Sequence, residues 1–197
     1  MVVIGIDLSL RSTGICYNDN NETFKFALVC PDAKKYNDEP LVAYMTQEII
    51  NFIEDCPRIP DAIHLEGLSF GSISGSKDIL AGNFWHLRVA LWNAYMAADI
   101  IPVTSWRSPL FNKEERKLLK ENVAAVKKIK EQAKGKSLAE RKEIAAANAL
   151  TILGADVKYC TYMKLPEDVK QIIECVTIDK SRFDLCDAYF LSCHKNK

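Results

Sequence analysis

The sequence predicts an α/β domain, a five-stranded sheet flanked by helices, and three observations predict it. The chain opens on Val2, Val3, Ile4 and Ile6, an apolar run without polar alternation that reads as a central strand covered on both faces. Short strand-like runs return after it, and two stretches of helical spacing separate the last three strands. From Asn112 onward, helix starts and stops replace strand signals. A chain of 197 residues with 48% hydrophobic composition suits one domain, residues 1–197, around a single core.

The first strand ends on Asp7, and an acid there is costly unless a cation or donor faces it, so Asp7 belongs at the strand's mouth. Leu8 to Ser12 is too short and polar for a helix, and Thr13-Gly14 opens the second strand, Ile15 to Tyr17. Asn18 to Asn21 is turn chemistry. It leads into a third strand, Thr23 to Cys30, where Phe24, Phe26 and Leu28 alternate with Thr23, Lys25 and Ala27, so the two strands form a hairpin.

From Pro40 to Asp55 the residues Leu41, Tyr44, Met45, Ile49, Phe52 and Ile53 recur at helical spacing, and Pro57 and Pro60 stop the helix. Ala62 to Glu66 is a fourth strand that again ends on an acid. After a Gly/Ser-rich loop, Gly67 to Ser76, a helix from about Lys77 to Ala98 carries two apolar stripes. One is Leu80, Phe84, Leu87, Leu91 and Tyr95; the other is Ala81, Trp85, Trp92 and Met96, with Arg88 between. Two tryptophans on a second face exceed what a domain of this size needs inside, so that face is expected to meet a partner. The fifth strand, Ile100 to Trp106, is interrupted at Pro102 and suits an edge.

Asn112 with Glu115, and Ser137 with Glu140, each have the spacing of a capping box, and Gly135 separates the two helices they open. The first helix keeps a thin apolar seam of Leu119, Val123, Val126 and Ala133; the second continues through Ile144 to Leu153, until Gly154. Pro166 fits the first position of a short helix to Cys175, and a last helix starts near Ser181. Net charge is zero, but Arg107 to Lys142 holds 12 basic residues against five acids, a net of +7 that leaves −7 elsewhere. A basic helical hairpin of this kind is either a solvated face or a polyanion surface.

The seven cysteines are odd in number and never spaced as CxxC, which argues against a disulfide framework and a zinc site; they read as reduced and mostly buried. No apolar run approaches the ~20 residues of a membrane span, and the N-terminus lacks a basic segment followed by a long apolar one. A soluble, cytoplasmic protein without membrane association is expected.

The last helix places Asp184 and Asp187 three residues apart, hence on one face with Cβ atoms ~5 to 6 Å from each other. Phe183, Leu185, Ala188, Tyr189 and Phe190 make that helix largely buried, with Arg182 its one nearby cation. Any single acid has an ordinary reading: Asp7 as a turn cap, Glu66 as half of an ion pair, Asp184 as a residue balancing the helix dipole. Four acids at element ends, in the order strand, strand, helix, helix, point instead to a cation site. Four oxygen ligands suit magnesium or manganese, and two such ions ~3.5 to 4 Å apart can clamp the attacking and leaving oxygens of a phosphodiester.

In IGIDLSLRSTG at the start, the strand-ending HLEG, and FDLCDAYFLSCH near the end, the chain resembles the RuvC-like Holliday junction resolvases of the RNase H-like superfamily, especially the forms carried by phages and viruses. The family's Asp-x-x-Asp-Ala is matched by Asp184, Asp187 and Ala188, and the likeness runs from Val2 to His194 apart from an inserted basic helical segment at about 108–141. The resemblance implies a mixed five-stranded RNase H-like sheet. It makes Asp7, Glu66, Asp184 and Asp187 the metal-binding catalytic acids of a homodimeric, magnesium- or manganese-dependent endonuclease. Its expected partner is four-way or branched DNA, cut by paired symmetric nicks, and no small-molecule cofactor is expected.

Arg11, Thr13 and Gly14 also match the family, whereas Leu8-Ser9 stand where many cellular members have Pro-Gly. Phe70 approximates, one place late, the family's junction-contacting phenylalanine. Trp106-Arg107 resembles its Trp-Lys, and Lys142 its lysine at the next helix. With Arg11, Phe70, Arg107 and Lys142, the hairpin cations Lys127, Lys128, Lys130, Lys134 and Lys136 make up the expected DNA-binding set.

Other classes compete. GIDLSLRSTG also resembles the first phosphate loop of actin-like ATPases and sugar kinases, which need two domains and a second Asp-x-Gly loop that this chain lacks. A catalytically silent DNA-binding module on the same fold is a second alternative. A ribonuclease H, or a less selective branched-DNA nuclease, is the nearest enzymatic one.

Overall fold

The computed structural model describes residues 1–32, 34–36, 38–68 and 77–195. Strand β1 (Val2–Asp7) is buried along its whole length, as its unbroken apolar run requires. It pairs antiparallel with β2 (Thr13–Asp19), and β2 pairs antiparallel with β3 (Thr23–Val29). The hairpin turns through Asn20 and Asn21 at φ of 55° and 61°, a left-handed conformation that asparagine tolerates.

On its other side β1 pairs parallel with β4 (Ala62–Glu66), and β4 pairs parallel with β5 (Ala98–Ile101). The mixed sheet therefore has the order β3-β2-β1-β4-β5. Parallel neighbours need crossovers, supplied by α1 (Asp38–Glu54) before β4 and α2 (Lys77–Asn93) before β5. Strand alternation sorts the sheet into two faces. Ile4, Ile6, Ile15, Tyr17, Ile63 and Leu65 share one core with Met45, Ile49 and Phe52 of α1 and Phe84, Leu87 and Leu91 of α2. The opposite face is left for the end of the chain.

Several boundaries differ from the sequence reading, each for a local reason. Helix α2 stops at Asn93 instead of Ala98. Tyr95 takes φ 57°, Met96 N–H donates to the Leu91 carbonyl at 2.8 Å, and Tyr95 N–H to that of Trp92 at 3.0 Å, a left-handed helix stop. Tyr95 is consequently exposed and leaves the buried stripe. Strand β5 ends at Ile101, because Pro102 has no N–H for a ladder and instead opens α3 (Val103–Arg107), where Ser105 N–H donates to its carbonyl at 2.9 Å. Trp106 is thus helical and buried, stacked on Phe190 at 6.2 Å.

Two compact units result, Met1–Trp106 with Pro166–Lys197, and Arg107–Leu165. In the second, a 3-10 turn (Ser108–Leu110) precedes α4 (Lys113–Gln132), and α5 (Leu138–Ala147) follows; both capping boxes form. The helix expected to continue to Leu153 breaks at Asn148, whose side-chain amide donates to the Ile144 carbonyl at 2.8 Å, and α6 (Ala149–Ala155) begins anew. Gly154 lies within α6 rather than ending it; a side chain there would strike Asn122 of α4, against which α6 packs. A further helix, α7 (Val157–Tyr162), had no periodic signal strong enough to announce it and is capped by Asp156.

Back in the first unit, α8 (Glu167–Val176) starts behind Pro166, and α9 (Arg182–Ser192) crosses the open face of the sheet. His194 lies beyond that helix. All seven cysteines are free, but only Cys16 and Cys186 are buried, so the expectation of mostly buried thiols does not hold. Among the described residues no helix is long and apolar enough to cross a membrane.

Candidate active site

The register of two neighbouring strands builds the first half of the site. Ile6 pairs with Leu65 in the parallel ladder, so the next residues, Asp7 and Glu66, end β1 and β4 side by side. Both point to the α9 face. Gly5 and His64, two residues earlier on each strand, mark that face, because His64 Nδ1 lies 2.8 Å from the Leu191 carbonyl and a Cβ on Gly5 would stand 2.0 Å from that of Ala188.

The helix supplies the second half. Asp7 pairs with Gly14 across the hairpin ladder, and a Cβ on Gly14 would come within 2.2 Å of the Asp184 carbonyl. Glycines at 5 and 14 therefore let α9 lie directly on the backbone of β1 and β2, with its first turn at the strand ends that carry the acids. Asp187, one turn along, is 1% exposed and Asp7 8% exposed, whereas Glu66 and Asp184 are half-buried. Oδ1 of Asp187 and Oε2 of Glu66 are shut off from solvent.

All four sequence-named acids thus stand at one end of one sheet face. Their donor chemistry, carboxylate throughout, fits a hard divalent cation. The shared geometry is that of the backbone positions: among the described residues no group of three or more His, Cys, Asp or Glu side chains is closed into a metal-holding set.

Sequence reading missed how the loop after β1 is fixed. Ser9 Oγ donates to the Ser12 carbonyl at 2.9 Å and accepts from the Arg11 and Ser12 N–H groups, while Thr13 Oγ1 donates to the Ser9 carbonyl at 2.9 Å and accepts from Ser9 N–H. The serine and threonine spacing was the available signal. These bonds fix the turn and leave Arg11 exposed four residues past Asp7. Farther along the same face, burial and the neighbouring His64 ring hold His194 below the usual histidine range.

The expected DNA contacts are spread more widely. Arg107 ends α3; Lys127, Lys128 and Lys130 are exposed on α4, with Lys134 just past its end. Lys136 sits in the turn, 3.3 Å from Glu140, and Lys142 is exposed on α5. Phe70 lies outside the described residues. On α2 the second stripe is open: Trp85, Val89 and Trp92 are exposed, and Arg88 stacks over the Trp85 ring at 4.6 Å beside a groove of about 260 Å³ that also reaches Met96.

The strand order and mixed pairing, with helices on both faces, define an RNase H-like fold. Among solved structures the chain is similar to Thermus thermophilus RuvC in complex with a Holliday junction substrate, at 12% identity and a TM-score of 0.55, over 98% of this chain and 90% of that one. A second Thermus thermophilus RuvC structure aligns at 14% identity and a TM-score of 0.48, over 97% and 92%. The chain has a RuvC-like fold. No family model and no curated protein matches it.

Proposed function

We propose that this chain is a metal-dependent endodeoxyribonuclease that resolves four-way and other branched DNA by paired, symmetric nicks. The observation that carries the reading is the placement of Asp7, Glu66, Asp184 and Asp187 at one end of one sheet face, on three elements of a RuvC-like fold. A Holliday junction substrate in the similar Thermus thermophilus structure supports a branched-DNA partner.

The four carboxylates would hold Mg²⁺ or Mn²⁺, two ions per site. When bound, the metal lowers the pKa of the attacking water and stabilises charge on the departing 3′ oxygen. The chain's part is to bring the acids near one another beforehand: strand register sets Asp7 beside Glu66, and the bare glycine backbone lets the helix that carries Asp184 and Asp187 lie against β1 and β2. Water adds to phosphorus as the bond to the 3′ oxygen breaks, leaving a 5′ phosphate and a 3′ hydroxyl. Arg11, on its tied loop four residues past Asp7, meets a phosphate beside the cut, and Arg107 and the hairpin lysines contact phosphates of the arms. Pairing of the Trp85, Val89 and Trp92 face with a second copy sets two sites at a fixed separation, which a junction with its own two-fold symmetry can satisfy.

The test incubates the protein with a labelled four-way junction, a linear duplex and an RNA–DNA hybrid. Opposed nicks in the junction with Mg²⁺ or Mn²⁺, none in EDTA, and slow cutting of linear duplex are expected. Faster degradation of the hybrid would assign a ribonuclease H instead, and efficient cutting of plain duplex a less selective nuclease.

A further inference from the structure

On α4 the cations fall on one side. Lys113, Arg116, Lys117, Lys120 and Lys127 stand at i, i+3, i+4, i+7 and i+14, so they share a face, and every one is exposed. The opposite side, Leu119, Asn122, Val126, Ile129 and Ala133, is half-buried and packs on α6. The cationic side is therefore turned outward. From Lys113 to Lys127 the ridge is about 21 Å long, more than half a turn of duplex DNA.

Glu121 and Glu131 draw on Lys117 and Lys134 at 3.8 and 3.3 Å, but these pairs are exposed and weak enough to yield to phosphate. At the N-terminal half of the ridge a concavity of about 660 Å³ is lined by Lys113, Glu114, Arg116, Lys117 and Lys120, four cations to one acid. At that helix end the Asn112 capping box already engages the Glu115 and Asn112 N–H groups, and the side chains supply the positive charge.

We propose that the outer face of α4, with Lys113, Arg116, Lys117 and Lys120 as its core and Lys127 extending it, is a sequence-independent docking surface for the phosphate backbone of one duplex DNA arm. The proposal rests on the nuclease reading for the identity of its polyanion and adds the residues and the face. Regular spacing along one helix suits a regular backbone, and point charges on flexible stems read no base edges. The ridge raises affinity for any duplex and leaves the choice of substrate to the acid site.

The experiment measures binding of a labelled linear duplex of about 20 base pairs by fluorescence anisotropy, in EDTA, across a series of NaCl concentrations. The triple variant Arg116→Gln, Lys117→Gln, Lys120→Gln is compared with Lys34→Gln, Lys35→Gln, Lys180→Gln, which removes the same charge from exposed sites elsewhere. Circular dichroism checks that both are folded. The ridge variant should lower the slope of log K against log salt by about 2.7, at ~0.9 per lost phosphate contact, and the other by less than about one. Equal slopes in the two variants, or an unchanged slope in the ridge variant, would overturn the proposal. Because binding is read without metal or cleavage, failure of the nuclease reading would leave this result intact, and the reverse.

Discussion

At the scale of single residues, the proposed function puts the chemistry on the four acids, and the fold puts the geometry on two glycines. Asp7→Asn or Asp187→Asn keeps the shape and removes one negative charge, so junction cleavage should fall about a hundredfold or more while DNA binding persists. Cleavage near the parent rate in either variant would remove that residue from the metal set. Gly14→Ala should cost stability at the upper end of, or beyond, the ~1–3 kcal/mol typical of overpacking, because the new Cβ meets helix backbone that cannot turn aside; urea denaturation reads this, and an unchanged midpoint would contradict the close approach. Cys30 and Cys175 are exposed, whereas Cys16 is enclosed and burial pushes its thiol far up, so native maleimide labelling should reach the first two and spare the third. Asp7 and Glu66 were legible because each ends a strand pattern, Asp184 and Asp187 because their spacing puts them on one helix face. The glycines were not, because what they touch lies some 170 residues away in the chain.

At the scale of elements, helix faces decide what is exposed. The apolar spacing of α2 announced both stripes, and Trp85, Val89 and Trp92 are open in the single chain. Trp85→Glu with Trp92→Glu should leave the fold intact and yield monomer by light scattering, whereas the parent should give dimer at micromolar concentration; a monomeric parent would sink the paired-site arrangement. Asn112→Ala removes the cap of α4 and should lower stability by about 1 kcal/mol, seen as a lower denaturation midpoint. Strand and helix types were readable from period, and capping boxes from spacing. The ends were harder: Tyr95 holds a left-handed conformation that composition rarely signals, Pro102 opens a helix where it was read as interrupting a strand, and Asn148 breaks a run whose apolar pattern continues past it.

At the scale of the whole molecule, the order of strands and helices was legible before any coordinates and the resemblance implied the mixed sheet; two short antiparallel connections and two crossovers produce it. That residues 107–165 gather into a compact unit of their own was not legible, since α7 is too short to show a period and Gly154, which reads as a helix stop, lies instead where α6 packs against Asn122 of α4. The most direct test of the central claim, that the acids at the strand ends form a metal-dependent centre acting in pairs on branched DNA, is cleavage of a supercoiled plasmid that extrudes a cruciform. Paired nicks across the junction convert it straight to linear DNA. The account predicts linear product in Mg²⁺ or Mn²⁺, none in EDTA and none with Asp187→Asn. Plasmid left supercoiled in both metals, or linear product undiminished in Asp187→Asn, would contradict it.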